Sequence, residues 1–405
     1  MIKNNLNFFN NIQKKNLDSK SIKKFTKLFP KILSKLFTDI NSSKKTLNTL
    51  NKKFNFNFEF KDLEKFKSFK TIAIIGMGGS ILGSEAVSHF LKEKIKKKIY
   101  FFNDLNIKKI QNFKKKKNLN KVLFFVISKS GNTVETLSNF FTLKIIKKNS
   151  KNIIIISEKK NNLLYSLSKK FNLFYIEHKN YIGGRYSVLS EVGIVPAYLM
   201  GININKLRSG SLKSLKKKTQ LFLKDSTIIL SSLLSFKKIN NLIFLNYCPE
   251  LEKFLFWCQQ LIAESLGKKG KGFLPTISNA PKDHHSLLQL YLDGPKNKLF
   301  YIFSNEESSK EKINIKEILK EKNFLNNKTL SSIKKAQKNA LIKTLKNKNI
   351  PFREFKIKNI NEEVLGELFS YFILETVIIG KLTNINPFDQ PAVEQVKIYT
   401  KDLLN

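Results

Sequence analysis

Cysteine, histidine and acidic side chains are the scarce components of this chain. Only Cys248 and Cys258 occur among its 405 residues, too few for a disulfide framework, so a reducing, cytoplasmic setting is expected. The four histidines, His89, His178, His284 and His285, share no zinc-ligand spacing with the cysteines, and no metal is expected. The stretch MIKNNLNFFNN alternates polar and apolar residues and has no h-region, so no signal peptide is expected. No apolar run reaches the ~18 residues that suggest a membrane span. The most apolar stretch, 368–379, follows Glu367 and is interrupted by Glu375. A soluble protein without a membrane partner follows.

Asp and Glu number 31 against 74 Lys and Arg, a formal net charge of +43. Such an excess raises nucleic-acid binding as one reading. Coding bias is the other, because Lys, Asn, Ile and Phe are inflated together. The lysine runs at 96–98, 114–117 and 216–218 are scattered and suit solvated faces or loops. No basic arm, zinc finger, basic zipper or aromatic ribonucleoprotein motif accompanies them. The compositional reading is preferred, with no specific nucleic-acid partner. The field would still draw small anions.

What is present is a pattern of short apolar runs. Residues 1–45 read as a helical N-terminal segment, with Phe25, Leu28, Phe29, Ile32, Leu33 and Leu36 at helical spacing. From Thr71 onward, runs at 72–75, 99–102, 122–127, 153–156 and 173–176 alternate with helix-length polar segments. Strands of that kind are parallel and buried on both faces. A helical connector is expected over 206–235. A second set of runs appears at 242–245, 299–303 and 352–357. The organisation expected is α/β, with two doubly wound parallel-sheet domains at 46–205 and 236–360 and C-terminal helices over 361–405. Pro391 suits the first turn of the last helix.

Two strand-end loops point to chemistry, since open α/β sheets bind ligands beyond the carboxyl ends of their strands. The first reads Gly76, Met77, Gly78, Gly79, Ser80 and runs into a helix, where glycines let backbone N–H groups approach an anion. A dinucleotide fingerprint needs glycine at 81, where Ile81 stands, and no Walker A lysine follows. The second loop holds Ser128, Lys129, Ser130, Gly131, Asn132 and Thr133 before another helix. Three hydroxyls and a lysine suit a phosphomonoester. Asn132 or Thr133 serving only as a helix cap is the alternative.

Four further segments carry candidates. Gly183, Gly184 and Arg185 follow the fifth strand, where Arg185 meets either an oxyanion or a surface ion-pair partner. Gln260 and Glu264 fall on one face of an apolar helix. A partly desolvated Glu264 would have a raised pKa and suit a general base. An ion pair from Glu264 to Lys268 is the competing reading. His284 and His285, in a polar turn, are either acid/base groups or exposed imidazoles of a capping turn. Lys397 does not stand out among so many lysines.

Together these segments resemble the glucose-6-phosphate isomerase family, compact bacterial type, from about residue 65 onward. The likeness is carried by IGMGGSILG, SKSGNTVET, GGRYSV, QQLIAESLGKKGKG, PKDHHSLLQLYLDGP and NPFDQPAVEQVK. It implies two sugar-isomerase (SIS-type) domains, C-terminal helices that complete the active site, a homodimer with a shared active site, and no metal or organic cofactor. Gly79, Ser80, Ser128, Lys129, Ser130 and Thr133 would hold the phosphate, with Gly184 beside them. Glu264 would move a proton between C2 and C1 through a cis-enediolate, and Arg185 would stabilise its oxygens. His285, reaching the neighbouring subunit's site, and Lys397 would assist ring opening, while Gln260 and Gln390 orient the sugar. The implied reaction interconverts glucose 6-phosphate and fructose 6-phosphate. A dual isomerase that also takes mannose 6-phosphate, and a non-catalytic phosphosugar-binding protein, are the alternatives. Ala392 stands where glycine is common, and His284 where glutamine often stands.

Overall fold

Strand β2, Thr71–Gly76, is buried along all but its first residue. It lies at the heart of a sheet with β3 (Lys98–Phe102), β4 (Val122–Ile127), β5 (Ile153–Ser157) and β6 (Phe174–Glu177). The spatial order is β3-β2-β4-β5-β6, and every pairing is parallel. The period of two in each strand divides its side chains between two cores. Ile72, Ile74, Leu123, Phe125, Ile154 and Ile156 face the largest cluster. Ala73, Ile75, Phe124, Val126, Ile153 and Ile155 face a second one, closed by Phe113, Phe140 and Leu164 from the covering helices. Burial on both faces is why the strands read as continuous apolar runs.

The structure, a computed structural model, describes residues 6–13, 17–236, 238–307, 310–315 and 323–404. The parts of the expected N-terminal helical segment at 1–5 and 14–16 lie outside the described residues. A second sheet contains β7 (Asn241–Asn246), β8 (Leu274–Asn279), β9 (Lys298–Asn305) and β10 (Phe352–Ile357). Its order is β1-β10-β9-β7-β8, parallel except for β1. Leu242, Phe244, Tyr301, Phe303 and Phe355 share the largest cluster with the first sheet, so one apolar layer lies between the two sheets.

Two elements differ from the sequence expectation. β1 is Leu6–Asn11, a strand where a helix was expected, paired antiparallel to β10 with Leu6 opposite Ile357. Tertiary contacts decide it. Phe8 stacks on Phe222 at 4.6 Å and on Tyr371 at 4.8 Å. Asn10 accepts a hydrogen bond from Arg353 Nε at 3.0 Å. Arg353 is itself buried and paired with Glu375 at 2.9 Å. The expected helix begins later, as Ser19–Asn41, where Asp18 caps the N–H groups of Lys20 and Ser21. β8 was not foreseen at all. Its sequence, LPTISN, carries a proline and polar residues that an edge strand tolerates and a central one does not. The connector comprises helices Ile204–Ser211 and Lys217–Phe236, and the C-terminal helices are Glu362–Leu382 and Glu394–Asp402.

Candidate active site

The chain winds from β2 to β3 on one side and returns to β4 on the other, so the winding reverses between β2 and β4. The crevice beyond the carboxyl ends of such a strand pair is where ligands bind in this class of sheet. Both sequence-selected loops leave from that point. In the first, Gly78 has φ +51°, and a Cβ on Gly79 would lie 2.1 Å from the backbone carbon of Gly184. The GGS and GGR loops are therefore pressed backbone to backbone. Ser187 Oγ donates to Gly184 O at 2.7 Å and to Gly79 O at 3.4 Å, pinning the contact. Ser80 is buried in the turn Gly78–Ser80.

The second loop gathers its hydroxyls. Ser128 Oγ and Thr133 Oγ1 are 2.8 Å apart, and Ser130 Oγ lies 3.4 Å from Thr133 Oγ1. Thr133 stands at the cap position of helix Val134–Leu143 yet makes no side-chain capping bond. Asn132 is used elsewhere, accepting from Leu163 N at 2.9 Å. Neither side chain therefore takes the capping role offered as the alternative. Gly131, at φ +70°, is required, because a Cβ there would lie 1.8 Å from Asn162 Oδ1. The Lys129 side chain has partners of its own. Its ammonium donates to Asn180 O at 2.7 Å and lies 3.6 Å from Glu158. Burial pushes its pKa below the ordinary lysine value, against the opposing pull of Glu158.

Glu264 is set by helix Glu252–Leu266, whose apolar faces are buried between elements. Its Oε1 accepts from Gln260 Nε2 at 3.0 Å, and its Oε2 accepts from Arg185 Nη1 at 3.2 Å. The competing ion pair with Lys268 does not form, since Lys268 binds Asp389 at 2.7 Å and Asn386 O at 2.5 Å. Nor is Glu264 a lone carboxylate in a dry pocket. Its side chain is 30% exposed, and a guanidinium faces it. Arg185 is no surface residue either, being 3% exposed. Nε donates to Ser265 Oγ at 2.8 Å, Nη1 also to Gln390 Oε1 at 2.9 Å, and Nη2 to the carbonyls of Pro387 at 2.6 Å and Asp389 at 2.9 Å. One side chain thereby joins the GGR loop, the Glu264 helix and the segment 387–390.

Gln260 also packs onto the first loop, where a Cβ on Gly78 would come within 2.7 Å of its Nε2. Its Oε1 is buried without a partner among the described residues. Sequence reasoning missed Ser265 and Tyr186, whose hydroxyls are 2.8 Å apart, with Tyr186 also donating to Pro387 O at 2.8 Å. Their adjacency to Glu264 and Arg185 was the only available signal.

His285 and Lys397 are not joined to this constellation within the chain. His285 is exposed on the turn Lys282–His285. Lys397 is exposed on helix Glu394–Asp402 and pairs with Glu394 at 2.7 Å. That last helix leaves Val396, Ile398 and Tyr399 more than half exposed. Among the described residues, no three His, Cys, Asp or Glu side chains cluster as metal ligands would, and no helix is long and apolar enough to cross a membrane.

Comparison with known proteins bears on this geometry. The sequence profile of the family described as phosphoglucose isomerase matches residues 34–405. The chain is 32% identical to a glucose-6-phosphate isomerase from Methanocaldococcus jannaschii over 350 residues, 83% of this chain and 85% of the relative. It is 29% identical to one from Campylobacter jejuni over 352 residues, 83% and 86% of the two chains. Two solved structures share the fold. A hypothetical protein from Thermus thermophilus superposes with a TM-score of 0.80 at 22% identity, covering 98% of this chain and all of the other. A Chlamydia trachomatis glucose-6-phosphate isomerase superposes with a TM-score of 0.75 at 15% identity, covering 99% and 88%. With its profile match running from residue 34 to the C-terminus, this chain belongs to the phosphoglucose isomerase family.

Proposed function

We propose that the chain interconverts glucose 6-phosphate and fructose 6-phosphate in the cytoplasm as a homodimer. The observation that carries this reading is the Gln260–Glu264–Arg185–Gln390 chain of hydrogen bonds seated on the glycine loop at the β2/β4 switch point. The hydroxyls of Ser128, Ser130 and Thr133, with Gly79, Ser80 and Gly184 beside them, bind the phosphate and fix the substrate end. The ammonium of Lys129 supports that loop from behind. Gln260 and Gln390 orient the sugar hydroxyls.

Glu264 removes the C2 proton of the open-chain aldose, leaving a cis-enediolate, and returns it to C1 while the O2 hydroxyl proton passes to O1, which gives the ketose. As the carboxylate becomes neutral, the negative charge moves to the sugar oxygens. Arg185 borders Glu264 and is rigidly held, so its charge is in place for the intermediate without reorganisation. Ring opening precedes this step and needs a proton delivered to the ring oxygen and one removed from the anomeric hydroxyl. His285, supplied by the partner subunit, and Lys397 take these roles. The exposed positions of both, and the uncovered apolar side chains of the last helix, fit a site completed by a second copy. A coupled assay with Glu264→Gln tests the reading. We expect kcat to fall by about 10²–10⁴ with the fold intact; full activity in that variant would refute it.

A further inference from the structure

The turn that presents His285 carries a second imidazole in a different setting. His284 Nε2 lies 2.7 Å from the hydroxyl of Tyr247. The two rings meet edge-on, 5.6 Å between centroids at 79°. Tyr247 directly follows β7, is 1% exposed, and donates its backbone N–H to Phe303 O at 2.8 Å. Its hydroxyl is therefore fixed by the sheet. On the other side of the turn, the Asp283 carboxylate accepts from Asn279 N at 2.8 Å and from Ser278 Oγ at 3.1 Å. The turn is clamped to the carboxyl ends of β7 and β8, and His284 is one of the clamps.

A phenol donates most readily to a neutral imidazole that keeps its proton on Nδ1 and offers Nε2 as acceptor. Burial acts in the same direction, pushing the His284 pKa below the ordinary histidine value, with His285 adding to it and Asp283 opposing. The other ionisable groups near the turn are Lys282 on the turn itself, Tyr247 from the end of β7, and Tyr291 from helix Leu288–Asp293, which lies near Asp283. Glu252, bound by Asn279 Nδ2 at 2.8 Å, lies behind Asn279. A charged imidazole at 284 would repel a proton on its neighbour and make the two titrate as a coupled pair.

We propose that Tyr247 and His284 form a positioning pair that keeps the 284 imidazole neutral and fixed, so that no second positive charge develops beside His285. The proposal rests on the ring-opening role given to His285 above. Above its depressed pKa, His284 stays neutral and the pair is intact. As pH falls through that value, His284 gains a proton and the arrangement is lost.

A double-mutant cycle read as a pH profile tests this. In Tyr247→Phe, the 284 imidazole loses its donor and takes up a proton more easily. One limb of the kcat/KM profile for glucose 6-phosphate then moves to lower pH by about half a unit. His284→Gln retains a neutral acceptor for the same hydroxyl, and the limb stays at its wild-type position. With glutamine at 284, adding Tyr247→Phe moves nothing further. A limb unmoved in Tyr247→Phe, or a shift that persists in the double variant, overturns the proposal. If Tyr247→Phe does not fold, NMR titration of labelled histidines in the wild-type protein decides. The signal lost in His284→Gln must titrate below the one lost in His285→Ala, and a common midpoint overturns the proposal. Failure of the underlying reading looks different: His285→Ala would keep full activity, while the His284 titration would be unchanged.

Discussion

The two halves of the proposed catalytic apparatus are built in opposite ways. Arg185 and Glu264 stand on a buried turn and a buried helix, and Arg185 spends its donors on Ser265, Gln390, Glu264 and two backbone carbonyls. His285 and Lys397 stand on an exposed turn and an exposed helix, the turn clamped to the strand ends through His284 and Asp283, and Lys397 paired with Glu394 three residues away. On the proposed reading, the proton-transfer half is complete in one chain and the ring-opening half needs a second copy. Groups that meet developing charge gain from rigidity, because a preorganised dipole does not have to reorient. Groups that reach a neighbour's site must instead be exposed in the isolated chain.

The largest effect that would break this comparison lies at Arg185. Arg185→Met removes the link among three segments and leaves the carbonyls of Pro387 and Asp389 without their donor. We expect kcat to fall at least ~10²-fold through loss of charge at the intermediate. Stability should fall by about 3 kcal/mol, because one partner of a largely buried pair is removed. Kinetics and thermal melts on the same preparation check both. A variant that melts normally and turns over normally would mean that the buried half is not the catalytic one.

The division of labour between copies gives the next effect in size. Glu264→Gln and His285→Ala should each be nearly inactive alone. Unfolded together and refolded as a mixture, they form some heterodimers. One of the two sites in each heterodimer then contains both an intact Glu264 and an intact His285. Recovery of up to about a quarter of wild-type activity is expected from statistical pairing of equal amounts. No recovery would place both groups in sites formed by a single chain, and the contrast drawn above would fail.

How far this was legible beforehand depended on sequence distance. The glycine and hydroxyl loops are local strings, and their backbone demands at Gly78 and Gly131 follow from those strings. The partner of Glu264 was not legible. Lys268, four residues on, was the nearest candidate, while Arg185 lies 79 residues away and reaches Glu264 only because the GGR loop packs onto the GGS loop. β1 escaped because its pairing partner is near residue 357, and its phenylalanines find Phe222 and Tyr371 only in the folded chain. β8 escaped because an edge strand needs little apolar character. Lys129 is legible only in part. Its place in the loop suggested a ligand, but the backbone turns its side chain toward Asn180 and Glu158.

The smallest expected effect concerns that lysine and sharpens the comparison within the phosphate loop itself. Thr133→Val keeps the shape of the side chain and deletes the hydroxyl that bonds Ser128 and lies near Ser130. If the hydroxyl binds phosphate equally in ground and transition states, KM should rise about tenfold with kcat little changed, the equivalent of about 1.4 kcal/mol. Lys129→Met should raise KM by no more than about threefold, because an ammonium already paired with Glu158 and Asn180 contributes mainly through the screened field it adds to the loop. Initial-rate measurements over a range of sugar-phosphate concentrations separate the two. Should Lys129→Met prove the more damaging change, the ammonium must swing from Glu158 to the phosphate on binding, and the loop would belong with the adaptable half of the site.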